Sequence, residues 1–251
     1  FAHPDQSATM GRWLDEKLPR RADHVVAPHA KLADYLIHCG CAADRVHVVP
    51  PSIDVDAFVP AQPARTDCSV VYAGNLDDYQ NLPLLYRAME RVLTEAPGSE
   101  LVVVTPDPRI VETRGLVEHA RVVRTHSLAD VVRQLQRDII FACPRISWSG
   151  YPIKLLNAMA AGLAIVCCES SARPLTHQYN GLIVPDGDDE AFAHSVLRLM
   201  NDPDLRRNLG ANARRTAEDR HTLAAVSREL DGVLSVMNSD RAVLSSKQVD
   251  P

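Results

Sequence analysis

The residues best able to do chemistry fall in the run PRISWSGYPIKLLNAMAAG, between Arg145 and Asn157. Small polar residues, a glycine and a proline lead there straight into a helical pattern beginning near Ile153. The first-turn amides of such a helix have no intrahelical partner and can meet an anion. Lys154 and Asn157, three residues apart, share one helical face, while Leu155, Leu156 and Met159 supply apolar contacts to whatever lies beneath. A cation and a carboxamide thus look toward one place, and Arg145 is a second candidate cation. Spacing alone equally allows a solvated lysine on an ordinary surface helix and an arginine paired with a surface carboxylate. Position at the end of an apolar strand favours ligand binding.

The elements that must position these residues read as an alternating α/β chain. Val70 to Tyr72, Leu101 to Val104, Ile139 to Ala142 and Ala164 to Cys167 are short unbroken apolar runs, the pattern of parallel strands covered on both faces. Arg121 to Arg124 and Gly181 to Val184 are weaker strands, which makes about six between residues 66 and 200. Helical patterns lie between them: Leu82 to Ala96 after Asn81, Leu128 to Arg137 after Ser127, Ile153 to Ala161, and Asp188 to Met200. The alternation predicts a doubly wound, Rossmann-like parallel sheet, with ligands outside the carboxyl ends of its strands. The residues there are Gly74 and Asn75, Thr105, His126, Arg145 to Gly150, and Ser170 to Ser171.

Residues 1–60 read as a shorter fragment of a second α/β domain, with strands in HVVAP and VHVVP around a helix from Lys31 to Cys39. The proline-rich segment Phe58 to Asp67 is the expected linker, so the main domain is placed at 61–220. A helix follows in 221–238 and a polar, frayed tail in 239–251. The chain begins at Phe1 without a recognisable domain start, as a piece of something longer would.

Composition narrows the classes. Hydrophobic residues make up 46% and charged residues 24% of the chain, and no apolar run reaches the roughly 18 residues of a membrane span. A formal net charge of -5 offers no basic field for nucleic acid. The six cysteines, Cys39, Cys41, Cys68, Cys143, Cys167 and Cys168, show no CxxC pair and read as reduced, buried thiols of a cytoplasmic protein. His24, His29, His126 and His177 lack a joint metal-ligand spacing and read as structural, with no metal expected. His177 and Asn180 lie just before GLIVP.

The run GYPIKLLNAMAAGLAIV resembles the donor-site segment of retaining GT-B glycosyltransferases of the group 1 type, in which a glycine and an aromatic precede a helix and EAMAxGxPVV. VHVVPPSIDVDAFVP is similar to that family's interdomain segment, VVYAGNLDDYQNLPLL to its first donor-domain turn, and GLIVPDGDDEAFAHSV to the stretch after the donor site. The resemblance covers most of the chain and implies the donor-binding half with the tail end of an acceptor domain. Two family glutamates eight residues apart match Ser149 and Asn157, and an arginine and a lysine on the donor diphosphate match Asn75 and Gln80, so four charged groups are replaced. Asparagine can still bond ribose hydroxyls. Lys154 and Arg145 then stand as the catalytic cations, and Gly74, Asn75, Gln80, Ser149, Gly150, Tyr151, Pro152, Ile153 and Asn157 as the donor-binding set.

What the resemblance implies is retaining transfer of a sugar from a nucleotide-diphosphate sugar to an acceptor hydroxyl, without an obligatory metal or other cofactor. Polysaccharide or glycolipid synthesis is the implied setting. A partner chain supplying an N-terminal half and peripheral association with the inner face of a membrane stay open. So do two rival readings: a non-catalytic donor-binding subunit and, with less weight, a sugar-nucleotide epimerase. The acceptor, the sugar and the donor base are not specified by any motif.

Overall fold

The structure, a computed structural model, describes residues 4–59, 69–107, 120–136, 139–148 and 150–247. The chain divides into two compact units, one comprising Ile53–Trp148 with Pro152–Thr222, the other the residues up to 52, residues 150–151 and those from 223 onward.

The larger unit is built on six parallel strands: β3 (Ser69–Ala73), β4 (Glu100–Thr105), β5 (Ala120–Arg124), β6 (Ile139–Cys143), β7 (Ala164–Cys168) and β8 (Leu182–Val184). Their order across the sheet is β5-β4-β3-β6-β7-β8, and every pairing is parallel. The unbroken apolar runs are the central strands, where Val70, Val71, Leu101, Val103, Ile140 and Phe141 are all buried. The weak run at Arg121 is the edge strand β5, where Arg121 pairs with Glu100 at 2.9 Å and polar side chains face solvent.

Strand order reverses between β3 and β6. The chain leaves β3 toward one edge of the sheet and leaves β6 toward the other, so the segments after these two strands diverge. That crevice is where doubly wound sheets bind ligands. It receives Gly74 and Asn75 from one side and Arg145 from the other.

The connecting helices carry their start signals with one variation. Ser127 caps α4 (Leu128–Leu135) in a reciprocal capping box with Asp130, and Asp188 caps α6 (Asp189–Asn201) through the Ala191 amide. Asn81 stands at the cap position of α3 (Leu82–Glu95), but at φ 51° its side chain makes no capping bond. Asparagine tolerates this left-handed turn better than most residues, which explains the residue type without the cap. Helix α5 (Ile153–Ala160) packs beside α7 (Pro203–Arg220), and α3 beside α6.

The sequence pattern does not anticipate α7. Asp202 caps it through the Leu205 amide, and Leu209, Ala213 and Ala217 form a narrow buried stripe at four-residue spacing. Arg206 is buried on this helix and donates to the carbonyl oxygen of Leu199 at 2.8 Å. Arg214 donates to the carbonyl oxygens of Ala160 and Phe58, covering the end of α5.

In the smaller unit, β1 (Val25–Ala27) and β2 (Val46–Val48) pair in parallel, with α2 (Ala30–His38) in the connection between them. Ala27, Ala33, Leu36 and Cys41 form its core. His29 caps α2, its Nδ1 accepting from the Leu32 amide at 3.0 Å, and His24 Nδ1 lies 3.0 Å from His47 Nε2. A helix the sequence pattern does not anticipate, α1, occupies Pro4–Lys17. The last helix, α8 (Leu223–Lys247), extends ten residues past the Met237 where the apolar pattern ends. Nothing in Asn238 to Lys247 breaks it, since the stretch lacks glycine and proline, and the Ser239 hydroxyl bonds the carbonyl of Ser235 at 2.9 Å. No helix among the described residues is long and apolar enough to cross a membrane. The five described cysteines are buried and none is in a disulfide, while Cys68 and most of the expected linker lie outside the described residues.

Candidate functional site

At the strand reversal the Lys154 ammonium reaches back from the first turn of α5 and donates to Asn75 Oδ1 at 3.0 Å. It lies 5.7 Å from the centre of the Tyr72 ring, close enough for a cation–π attraction. The path is open only because residue 74 is glycine: a Cβ there would stand 1.9 Å from Lys154 Nζ and 2.8 Å from the Tyr72 hydroxyl. Gly74 itself continues the sheet, its amide bonding the Val104 carbonyl at 2.8 Å.

Asn75 is the hub of the turn after β3. Its Oδ1 also accepts from Gln80 Nε2 at 2.7 Å, its Nδ2 donates to the Asp77 carboxylate and to Tyr79 Oη at 3.2 Å, and its backbone oxygen accepts from the Tyr72 hydroxyl. Arg145, on the opposite lip, places its guanidinium 5.3 Å from the centre of the Tyr79 ring, and the adjoining Ile146 amide bonds the Tyr79 carbonyl at 3.2 Å. Tyr79 thereby ties together the segments following β3 and β6.

The electrostatics follow from burial. Removal from water pulls the Lys154 ammonium down to about 8, with Cys143 and Asp77 opposing the shift and Arg145 adding to it. Burial pushes the Tyr72 phenol up, so it stays protonated and keeps donating to Asn75. Cys143 and Cys167 face each other across β6 and β7, with burial pushing the Cys167 thiol up and the hydrogen bond from Cys167 holding Cys143 down. Burial also pushes Cys168 up to about 12, as expected of an inert core thiol.

Of the residues singled out from sequence, Gly74, Asn75, Gln80, Arg145 and Lys154 come together at this edge. Asn157 lies one turn along α5 from Lys154, half-buried, with no hydrogen bond from its side chain to any described residue. Pro152 is buried at the amino end of α5 and Ile153 is exposed, and no side chain caps that end of the helix. Gly150, with φ 69°, and Tyr151, whose ring lies 6.3 Å from that of His29, belong to the smaller unit. Ser149 lies outside the described residues.

The other strand-end residues serve the fold. Thr105 Oγ1 accepts from the Asp107 amide, and Ser171 donates to the Ser147 carbonyl. His177 Nδ1 accepts from the Ile183 amide, and Asn180 bridges the Thr176 amide and the Thr216 hydroxyl. His126 is exposed. Residues the motif reading passed over are Tyr72, Asp77 and Tyr79. Their signal is position, because Asp77 and Tyr79 lie within the GNLDDYQN turn and Tyr72 lies at the end of the strand that leads into it.

Fold and site together define a doubly wound α/β protein with a cationic crevice at its strand reversal. The chain belongs to the family Glycosyl transferases group 1, which matches residues 67–202, and Glycosyltransferase Family 4 matches residues 2–57. The expectation of a group 1 glycosyltransferase of the GT-B fold is therefore met. The D-inositol 3-phosphate glycosyltransferase of Kineococcus radiotolerans is 27% identical over 87% of this chain and 58% of its own length. The exopolysaccharide phosphotransferase of Streptomyces coelicolor is 26% identical over 69% of this chain and 19% of its own. Among solved structures, an Anabaena protein in complex with UDP shares the fold at a TM-score of 0.79, with 16% identity, 94% of this chain and 70% of that chain covered. Sucrose-phosphate synthase from Thermosynechococcus elongatus does so at 0.77, with 19% identity over 98% of this chain and 65% of that chain. The present chain thus spans less than two thirds of these curated relatives.

Proposed function

We propose that the larger unit is the donor-binding half of a retaining glycosyltransferase, which takes a nucleotide-diphosphate sugar and passes the sugar to an acceptor hydroxyl. The observation that carries this reading is the Lys154 ammonium held at the strand reversal beside the uncapped amino end of α5. In support, the Anabaena neighbour was solved with UDP and with UDP-glucose, and the curated relatives include a D-inositol 3-phosphate glycosyltransferase and, by its name, an exopolysaccharide phosphotransferase. On this reading residues 61–220 hold the donor and residues 1–60 are the end of an acceptor domain. Assembly of a polysaccharide or glycolipid is the setting that those relatives favour.

The chemistry asked of the site is stabilisation of a leaving diphosphate. As the glycosidic bond breaks, negative charge grows on the phosphate oxygens. An ammonium and the Ile153 and Lys154 amides, which bond no carbonyl among the described residues, would stabilise the transition state more than the ground state when that charge lies before them. Arg145 sits across the crevice from the glycine turn and adds positive field. Asn157, one turn further along α5, is placed for the ribose hydroxyls.

The test is calorimetry of this chain with UDP and a panel of UDP- and GDP-sugars, followed by assay of sugar transfer with and without a supplied N-terminal half. One well-aimed donor is worth about 2.7 to 4 kcal/mol, so Lys154→Ala should lower turnover by about a hundredfold or more. Unchanged activity in that variant would sink the reading. Tight donor binding with no transfer under any condition favours the second reading, a donor-binding partner subunit, which the chain's span of 58% of the Kineococcus relative keeps in view.

A further inference from the structure

We propose that Asn75 is a positioning residue: it does not meet the donor but holds the Lys154 ammonium over Gly74, with Gln80 and Asp77 fixing the carboxamide in place. The inference deepens the donor-site reading above and rests on it for its ligand.

The argument is one of hydrogen-bond capacity. A side-chain amide has two acceptor directions and two N–H donors. The Oδ1 of Asn75 accepts from Gln80 and from Lys154, and its Nδ2 donates to Asp77 and to Tyr79 Oη, so all four are taken within the protein. The orientation of the amide is chemically forced rather than chosen. Lysine can only donate and so must face the oxygen, while the Asp77 carboxylate accepts and so must face the nitrogen. Asn75 therefore has nothing left to offer a ligand without breaking a bond to its neighbours.

Lys154 is in the opposite position. Its ammonium has three N–H groups, and among the described residues only Asn75 accepts one. Two remain for phosphate oxygens. The groups facing this ammonium are Tyr72 on β3, Asp77 in the following turn, Cys143 on β6 and Arg145 just after it. None of these supplies the direct acceptor that Asn75 supplies. Because Gly74 lacks a Cβ, the lysine lies against the backbone and its end point is set by the acceptor it reaches.

The experiment is the pH dependence of UDP affinity for the wild-type chain, Asn75→Ala and Lys154→Ala, together with NMR titration of the Lys154 side chain in the unliganded wild type and Asn75→Ala. A hydrogen bond to the charged form favours that form. Losing Asn75 should therefore move the Lys154 midpoint down by about one unit and bring the loss of UDP affinity to correspondingly lower pH. If Asn75 contacted the donor directly, Asn75→Ala would weaken UDP by the same factor at every pH and leave both midpoints where they were, and that outcome overturns the proposal. Absence of UDP affinity in the wild type would overturn the donor-site reading instead, while the unliganded NMR midpoint still decides the role of Asn75: a downward shift supports it and an unmoved midpoint overturns it. If Asn75→Ala does not fold, Gln80→Ala replaces it. Freeing one side of the amide should loosen the grip on Lys154, give a smaller shift in the same direction, and overturn the proposal if it gives none.

Discussion

Gly74 and Lys154 compete for one volume: the methyl group that an alanine would place at 74 lies 1.9 Å from the lysine Nζ. Because the two nearest obstructed atoms belong to the end of a flexible side chain, with the Tyr72 hydroxyl next at 2.8 Å, Gly74→Ala should fold and expel the ammonium from the crevice. UDP affinity should fall by about tenfold or more, as expected for loss of a charge-assisted contact. The double variant Gly74→Ala/Lys154→Ala should be no weaker than Lys154→Ala alone, since both changes remove one interaction. Additive losses in calorimetry would show that Gly74 acts on the ligand by itself.

Burial of Lys154 also makes a prediction about stability. Its folded-state value near 8 lies below the ordinary lysine value of 10.5, so between those two pH values the unfolded chain binds a proton that the folded chain does not. Stability contributed through Lys154 must rise as pH increases through 8 and level off near 10.5. Between pH 7 and pH 9.5 the wild type should gain about 2 kcal/mol relative to Lys154→Met in urea denaturation. Parallel stability curves for the two proteins would contradict a buried ammonium at this position.

The parts of the fold that could be read from sequence are those where one physical signal dominates. Val70, Leu101, Ile140 and Ile165 lie in unbroken apolar runs because their strands are covered on both faces, and the positions following those runs locate the crevice. Lys154 stood out because it opens a helix at such a position. Helix α7 stayed hidden because its buried face, Arg206, Leu209, Gly210, Ala213 and Ala217, holds only one large apolar side chain and is flanked by charge, so periodicity hardly registers. The role of Asn75 is invisible to any spacing rule. It depends on which of two amide atoms faces Lys154, a relation between segments 79 residues apart.

The hidden helix is nonetheless held tightly. Gly210 on α7 meets the turn after α5 so closely that a Cβ would stand 2.1 Å from the Gly162 carbonyl oxygen. Glycine to alanine within an exposed helix ordinarily stabilises by about 1 kcal/mol. Here the obstructing atom is backbone, and Gly210→Ala should destabilise by about 1 to 3 kcal/mol through forced separation of α5 and α7. Thermal and urea unfolding measure the sign directly, and a stabilised variant would mean that the two helices do not pack as described.

Asn157 separates the two ends of the proposed ligand. It shares the Lys154 face of α5 one turn further on, and its side chain has no hydrogen bond to a described residue, so its amide is available where that of Asn75 is not. If Asn157 meets the ribose and Lys154 the diphosphate, the two substitutions should differ toward two probes. Asn157→Ala should weaken UDP by about tenfold, the cost of a lost polar contact, while leaving inorganic pyrophosphate affinity nearly unchanged. Lys154→Ala should weaken both, because the ammonium serves the part that the probes share. Calorimetry with the two ligands resolves the division. Equal loss of UDP and pyrophosphate on removing Asn157 would place its amide at the phosphates and reverse the direction in which the nucleotide lies along α5.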